Sequence, residues 1–380
     1  MLLTGYALLI TFAWVCASIY LLINSRRVKY LKNIAPRTGS REPQVAIIVA
    51  VKDEEAELEQ ALASICKIDY PNARILVIND RSTDRTPQIL EKMMGENPAI
   101  AVRTVTELPP GWLGKNHALY QGYLHTTEEW MLFTDADVMY NRQALKKAMQ
   151  YSQDNRLDHL TAMPEITSPS GLFRSVMSTF SIMLELRQRP WEVRNPKSDA
   201  SIGIGAFNLV RRTAYEQAGT HKAFSLRPDD DLKLGEQIKA AGFRQDVVYG
   251  EQEISLKWYT SLPEFVRGLM KNTFSVANYH FPTALGMALA TLLVFVLPPP
   301  LLLLAGPTGQ FLAAVLLLSQ VLLMQFKSGI RSKGWHALMI PFAGAMMVYI
   351  LIASAVKTIR QGGIYWRDSF YPLEELKKQR

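Results

Sequence analysis

Val45-Ala46-Ile47-Ile48-Val49-Ala50-Val51 runs straight into Lys52-Asp53-Glu54-Glu55. Seven small or β-branched apolar residues without polar alternation fit a strand buried on both faces. The abrupt change to charge marks its C-terminal end. Outward from this stretch the pattern repeats. Glu54 to Ile65 has helical spacing, Ile75 to Asn79 is a second buried strand, Thr86 to Met94 a second helix, and Trp130 to Thr134 a further short apolar strand. Such alternation predicts an α/β fold, a sheet with helices on both faces. Ligands in these folds sit beyond the C-terminal strand ends, and the acidic clusters of this chain fall there.

The flanks differ in kind. Residues 2–23 are almost wholly apolar, about the length a bilayer requires. No basic stretch precedes them and Arg26-Arg27 follow, which predicts an uncleaved anchor rather than a removable leader. Residues 282–326 are apolar but broken by Pro298-Pro299-Pro300 and Gly306-Pro307, which reads as spans at 284–304 and 309–326. Residues 336–356 make another. The expected organisation is an anchor at 1–24, a soluble domain at 44–280, a membrane region at 282–356 and a tail at 357–380.

The net charge is +8, and much of the excess adjoins the apolar stretches: Arg26, Arg27, Lys29, Lys32 and Arg37 after the first, Lys327, Arg331 and Lys333 after the third. Basic residues there attract anionic headgroups and hold loops on the cytoplasmic side, and the expected location is a bacterial inner membrane with the domain in the cytoplasm. No basic helix or aromatic-basic motif points to nucleic acid. The two cysteines, Cys16 and Cys66, lack partners at ligand spacing, which argues against a disulfide scaffold and a zinc site. Topology carries a conflict. Four full spans put the tail outside, yet Lys357, Arg360, Arg367, Lys377 and Lys378 favour the inside. Either the tail is out despite its charge, or one segment is re-entrant: the proline-broken stretch or the one holding Pro341.

Five segments carry candidate chemistry. Asn79-Asp80-Arg81-Ser82-Thr83-Asp84 follows a buried strand, so its carboxylates can accept hydrogen bonds from a nucleobase or ribose; the plainer alternative is a helix cap. Phe133-Thr134-Asp135-Ala136-Asp137 places two acids one residue apart, and in an extended segment both point the same way. They could share one Mg²⁺ or Mn²⁺, which takes oxygen ligands and leaves room for phosphate. Asp229-Asp230-Asp231 opens a helix; capping explains one acid, and another could deprotonate a hydroxyl. Gly111-Trp112-Leu113-Gly114-Lys115-Asn116-His117-Ala118 offers close backbone approach and a lysine for phosphate or ribose, but lacks Walker A spacing. Trp258-Tyr259 precedes Arg267, Lys271 and Asn272; Arg267 and Lys271 would share a helical face, either against a leaving diphosphate or against lipid headgroups. The stretch Leu172–Trp191, apolar with Arg174, Arg187 and Arg189, reads equally as an interfacial or a buried helix.

In these segments the chain resembles the inverting family 2 glycosyltransferases, whose domain is the Rossmann-like GT-A fold, over residues 44–280. Val49 to Glu55 looks like the opening strand and acidic turn, Asn79 to Asp84 the nucleotide-contacting segment, Asp135-Ala136-Asp137 the metal-binding DxD, and Asp230-Asp231 the position of the family's Glu-Asp pair. Gly203-Ile204-Gly205-Ala206-Phe207-Asn208 is similar to the sugar-pocket loop. The segments at 111–115, 258–272 and Tyr365-Trp366-Arg367 with Tyr371 resemble the membrane-bound branch that glycosylates ceramide, carotenoid or hopanoid-type lipids. The Gln-x-x-Arg-Trp motif of processive polymerases is absent; Glu264-Phe265-Val266-Arg267-Gly268 stands in the comparable place.

The resemblance implies transfer of a sugar from a nucleotide diphosphate, UDP-linked, to a lipid hydroxyl. Asp53 and Asp80 would hold base and ribose; Asp137, with Asp135, the Mg²⁺ or Mn²⁺; Lys115 and Gly205 the donor; Arg267 and Lys271 the diphosphate; Asp231, beside Asp230, would be the base. Transfer to a polyprenyl phosphate or a polysaccharide is the alternative within the fold. A transporter or scaffold is disfavoured, because transporters place ionisable groups inside their spans and these segments carry only His336, at an end.

Overall fold

The computed structural model describes residues 2–37, 42–167, 170–259, 261–271, 273–366 and 369–378, with Trp366 described by its backbone alone. Asn272 and Arg367 therefore lie outside the described residues. Among the described residues eleven strands belong to the central domain: β1 (Lys29–Tyr30), β2 (Val45–Val51), β3 (Ala73–Asp80), β4 (Ile100–Val105), β5 (Trp130–Thr134), β6 (Val138–Tyr140), β7 (His159–Met163), β8 (Glu165–Ile166), β9 (Asn208–Arg211), β10 (Gln245–Tyr249) and β11 (Ile254–Leu256). Eight form one sheet in the order β1-β10-β7-β9-β5-β2-β3-β4. All neighbours are parallel except β9, which runs against both β5 and β7. Strands β6, β11 and β8 make a small second sheet.

The unalternating apolar run of β2 is explained by its two covered faces. Val45, Ile47, Val49 and Val51 pack with Leu58 and Leu62 of the helix Leu58–Cys66 and with Leu90 of Thr86–Glu96. Ala46 and Ile48 pack on the other side with Leu119 of Gly114–Leu124 and with Leu234 and Ile238 of Asp230–Ala240. Period two along the strand thus serves two separate cores.

The helix expected from Glu54 begins only at Leu58. Asp53 has φ +50°, and the N–H groups of Glu54 and Glu55 donate to Thr86 Oγ1 (2.9 Å) and Asp84 Oδ2 (3.1 Å). Tertiary bonds hold this turn out of the helix.

Among the described residues three helices are long and apolar enough to cross a membrane: Leu2–Arg27, Gly306–Phe326 and Gly334–Gln361. A fourth unit, Phe281–Val296 with Pro298–Leu304, is bent by 55° at the prolines. The helix Gly171–Gln188 buries Phe173, Val176 and Met177 against Phe265 and against Ala343 of the helix Ile340–Gln361, so the body and the apolar region share a core there.

Candidate active site

The parallel strands deliver their following loops to one edge of the sheet. Strand β9 runs the other way, so the residues before it, Gly203 to Phe207, arrive at that same edge, where Asn208 pairs with Phe133 at the end of β5. The helix Asp230–Ala240 starts beside them.

Lys115 is the hub. It stands in the first turn of Gly114–Leu124, with Nζ 2.7 Å from Asp135 Oδ1 and 3.6 Å from Asp230 Oδ1. Burial opposes its charge, but Asp135, Asp230 and Asp231 outweigh this and raise its pKa well above the ordinary value. Asp231 accepts the Gly205 N–H (2.8 Å) on Oδ2 and the Leu232 N–H (2.8 Å) on Oδ1. The Gly205 carbonyl accepts from the Asp135 N–H (3.1 Å). A side chain on Gly205 would meet Asp135 Oδ2 and, at 3.3 Å, Lys115 Nζ, so it would displace the acid–lysine pair.

Three carboxylates around one ammonium are electrostatically crowded. Burial pushes Asp230 up to about 7 and Asp231 upward; Lys115 opposes both shifts, and Asp135 adds to both. Asp137 is pushed up to about 7 by burial, then by the charges of Asp135 and Glu54. Asp135 and Asp137 lie in a turn between β5 and β6 rather than on an extended segment, because β5 ends at Thr134. Thr134 Oγ1 and Tyr140 Oη both donate to the Ala206 carbonyl (3.0 and 2.7 Å), tying this turn to the pocket loop.

Among the described residues no three acidic, histidine or cysteine side chains converge as a ready cation cage. The donor chemistry of the turn nonetheless fits a hard divalent cation. Asp137 and Asp135 supply only oxygen, and the upward push on Asp137 is relieved by positive charge, with further ligands left to phosphate and water.

The second cluster touches the first through one peptide bond. A side chain on Gly114 would overlap Asp80 Oδ2, while Lys115 reaches Asp135 and Asp230. Asp80 is buried at the end of β3, and both its oxygens accept from Arg81, Nε at 2.8 Å and Nη2 at 2.9 Å. Asp53 Oδ1 accepts from the Thr83 N–H (2.7 Å) and so anchors the segment 82–84. Asp84, not Asp80, serves the next helix, accepting the Thr86 N–H (2.8 Å).

Other expected residues fall elsewhere. Arg267 is exposed on the helix Leu262–Leu269 and makes no described contact with the acids. Lys271 lies beyond the end of that helix in an exposed turn, so the two do not share a helical face. Asp229 caps nothing; Arg227 donates to both its oxygens (2.9 and 2.7 Å).

Sequence reasoning missed a buried support beneath the pocket loop. Asn208 Oδ1 accepts from the Ile204 N–H (3.3 Å) and meets His159 Nε2 (3.1 Å). Gln245 holds His159 Nδ1 (2.9 Å) and accepts from the Ile202 N–H (3.2 Å). The available signal was polar residues opening otherwise buried strands.

Comparison with known proteins agrees with this architecture. A 4,4'-diaponeurosporenoate glycosyltransferase of Staphylococcus aureus is 24% identical over 218 residues, 57% of this chain and 56% of that protein. A poly-β-1,6-N-acetyl-D-glucosamine synthase of the same organism is 22% identical over 269 residues, 70% of this chain, and the match spans 61% of the synthase's length. A solved mannosyltransferase of Pyrobaculum calidifontis, in complex with GDP-mannose and Mn²⁺, superposes with a TM-score of 0.56 at 20% identity, over 94% of this chain and 99% of that one, which shows a shared GT-A fold. The family model "Glycosyltransferase like family 2" matches residues 43–275, more than half of the sequence, and the chain belongs to that family.

Proposed function

We propose that this protein transfers a sugar from a nucleotide diphosphate to the hydroxyl of a lipid acceptor at the membrane surface. The observation that carries the reading is the acid–lysine cluster: Asp135, Asp230 and Asp231 around Lys115, with the Gly205 N–H on Asp231. It stands at the strand-end edge where the fold places ligands. The same edge faces the apolar helices. Glu165 and Glu251, which follow β7 and β10, pair with Arg331 after the span Gly306–Phe326 (2.5 and 3.2 Å), and Glu251 pairs with Lys32 after the first span (2.9 Å).

Asp231 takes the proton from the acceptor hydroxyl, and that oxygen attacks the anomeric carbon as the bond to the diphosphate breaks, inverting the centre. Lys115, in the first turn of the helix Gly114–Leu124, holds the diphosphate. Arg267 and Lys271 remain candidates for it once donor is bound. Asp80 and Asp53 sit on the base and ribose side, which requires Arg81 to release Asp80. Asp137 and Asp135 would hold Mg²⁺ or Mn²⁺, which supplies charge stabilisation for the departing diphosphate.

The test is nucleotide diphosphate release in detergent from UDP-, GDP- and TDP-sugars, UDP first, with lipid alcohols and polyprenyl phosphate as acceptors, with and without EDTA. Asp231→Asn should lower turnover by about 10²–10⁴. Near-normal turnover removes Asp231 as base. Release on polyprenyl phosphate alone moves the acceptor to the phosphate class, since a phosphate needs little help from a base. The name of the synthase relative makes a polysaccharide acceptor the remaining arm of the screen.

A further inference from the structure

The buried amide of Asn208 can be oriented from the backbone upward. Gln245 is fixed first: its Oε1 accepts the Ile202 N–H (3.2 Å), and its Nε2 donates to the Gly235 carbonyl (2.9 Å). A backbone N–H only donates and a carbonyl only accepts, so this amide has one sense. The same Nε2 lies 2.9 Å from His159 Nδ1, which is therefore the accepting nitrogen, and the ring proton sits on Nε2. His159 Nε2 then donates to Asn208 Oδ1 (3.1 Å), which also accepts the Ile204 N–H (3.3 Å). Burial lowers the His159 pKa to about 4 against the opposing bond to Asn208, so the ring is neutral at ordinary pH. Asn208 thus turns its oxygen to this network and its NH₂ group away from it. Among the described residues Asn208 Nδ2 has no hydrogen-bond partner.

His221 reaches the same sense by a separate route. Tyr215 Oη accepts the His221 N–H (3.1 Å) and stands 2.6 Å from His221 Nδ1. Tyr215 is fully buried, and Nδ1 is the one acceptor for its proton among the described residues. Nδ1 therefore accepts, and His221 carries its own proton on Nε2, which has no hydrogen-bond partner among the described residues. Burial, then the charge of Lys115, lower its pKa to about 3, so this ring is neutral too. Asn208 and His221, both buried, line one small cavity together with Lys115, Asp135, Asp230 and Asp231. Its free space is about 10 Å³, the size a single water takes.

We infer that this cavity holds one ordered water, which accepts from Asn208 Nδ2 and His221 Nε2 and donates to Asp230 and Asp231, and that Asn208 and His221 are positioning residues for those carboxylates. The partners match in kind. Two neutral N–H donors fill the lone pairs of the water, and its two hydrogens go to two acids, so every polar group in the cavity finds a complement. Asp231 already takes the Gly205 N–H from the pocket loop and the Leu232 N–H from its own helix. The water adds the tie to the sheet, through Asn208 at the start of β9. Gln245 reinforces it from β10, since it holds both Ile202 before the pocket loop and Gly235 on the helix of the acids. Loop, helix and sheet are thereby held in one register around Asp231. The role in sugar transfer rests on Asp231 being the base; the water site itself does not.

The test starts from the unmodified full chain in detergent, without nucleotide or divalent cation. An experimental density map sharp enough to show ordered water should place one between Asn208, His221 and the two carboxylates. Melting temperatures probe the same site a second way. His221→Phe keeps a ring and removes the donor, while Asp230→Asn leaves the water a weaker acceptor. His221→Phe should therefore cost several degrees in the wild-type chain and clearly less in the Asp230→Asn background. His221→Gln, which can accept from Tyr215 and donate into the cavity, should recover most of the loss. For the role in transfer, His221→Phe should lower turnover by about 10-fold with the donor KM unchanged, and His221→Gln should restore it, measured with the UDP-, GDP- and TDP-sugars and lipid alcohols of the screen above. A dry cavity in the map, or equal losses in the two backgrounds, overturns the water site. Wild-type turnover in His221→Phe overturns its part in transfer. If the wild-type chain releases no nucleotide diphosphate from any donor, the function falls, while the map and the melting cycle still decide the water.

Discussion

Replacing Asp230 by asparagine should make the protein more stable and less active at once. Asp230 is 5% exposed, and its carboxyl is pushed from 3.8 up to about 7 by burial, with Lys115 pulling it back and Asp231, Asp135 and Asp229 adding to the push. Three units correspond to roughly 4 kcal/mol at about 1.4 kcal/mol each. That figure already contains the attraction of Lys115 at 3.6 Å; a buried asparagine amide with imperfect partners costs about 1–3 kcal/mol, so a net gain of about 2 kcal/mol is the working figure.

The sign follows from proton binding. Between about pH 4 and pH 7 the native chain holds a proton on Asp230 that the unfolded chain has released, so native stability falls as pH rises through that window and levels off above it. The variant has no such proton and lacks that slope. Thermal unfolding in detergent, without nucleotide or divalent cation, should show the two proteins close together near pH 4. At pH 8 the variant should melt roughly 4–8 °C higher. Turnover should drop by about 10²-fold or more. Parallel melting curves between pH 4 and pH 8, or a variant that melts lower at pH 8, would refute the claim that the site holds the Asp230 carboxylate against the cost of its burial. A site that holds charge at the expense of stability is what function demands of it.

Glu185 and Lys327 form a pair 2.7 Å apart with 3% and 1% side-chain exposure. Glu185→Leu alone should cost about 3–5 kcal/mol, whereas Glu185→Leu with Lys327→Met should recover most of it, read as melting temperature. Gly205→Ala pushes a methyl group between Asp135 and Lys115, and turnover should fall by at least about 10²-fold with a wild-type melting curve. Asp137→Asn should raise the Mn²⁺ concentration for half-maximal activity by about 10-fold or more, the equivalent of about 1.4 kcal/mol of cation binding; an unchanged requirement removes Asp137 as a ligand.

What the sequence disclosed, and what it withheld, divides by range. Strands β2 and β5 were legible because a segment buried on both faces has no room for polar alternation, and their ends at Val51 and Thr134 fall where charge begins or follows. The late start of the helix at Leu58 was not legible, because its cause is Thr86 and Asp84, about thirty residues away. Strand β9 was invisible for a related reason. Four residues, Asn208 to Arg211, are too few for a pattern, and nothing in them states that they run against their neighbours. That reversal is what brings Gly205 to the acids. The acids themselves could be nominated from local spacing, but Lys115 as their shared partner could not, since Asp135 and Asp230 reach it from separate elements.

The topology conflict has the same physical origin. A span is recognised by length and apolarity, and helix 340–361 has both for two separate reasons. One face is apolar because Phe173, Phe265 and Phe274 cover it, and another because Ala284, Ala288 and Phe295 of the bent unit 281–304 do. A helix packed between a domain and a neighbouring apolar helix therefore carries the composition of a lone span whatever its orientation. Lys327 and Tyr371, on opposite sides of the helix in sequence, both rest on the sheet domain. The positive residues Lys357, Arg360, Lys377 and Lys378 leave from the end that Tyr371 ties to the domain, so charge and contact, rather than length and apolarity, carry the information on which side the tail lies.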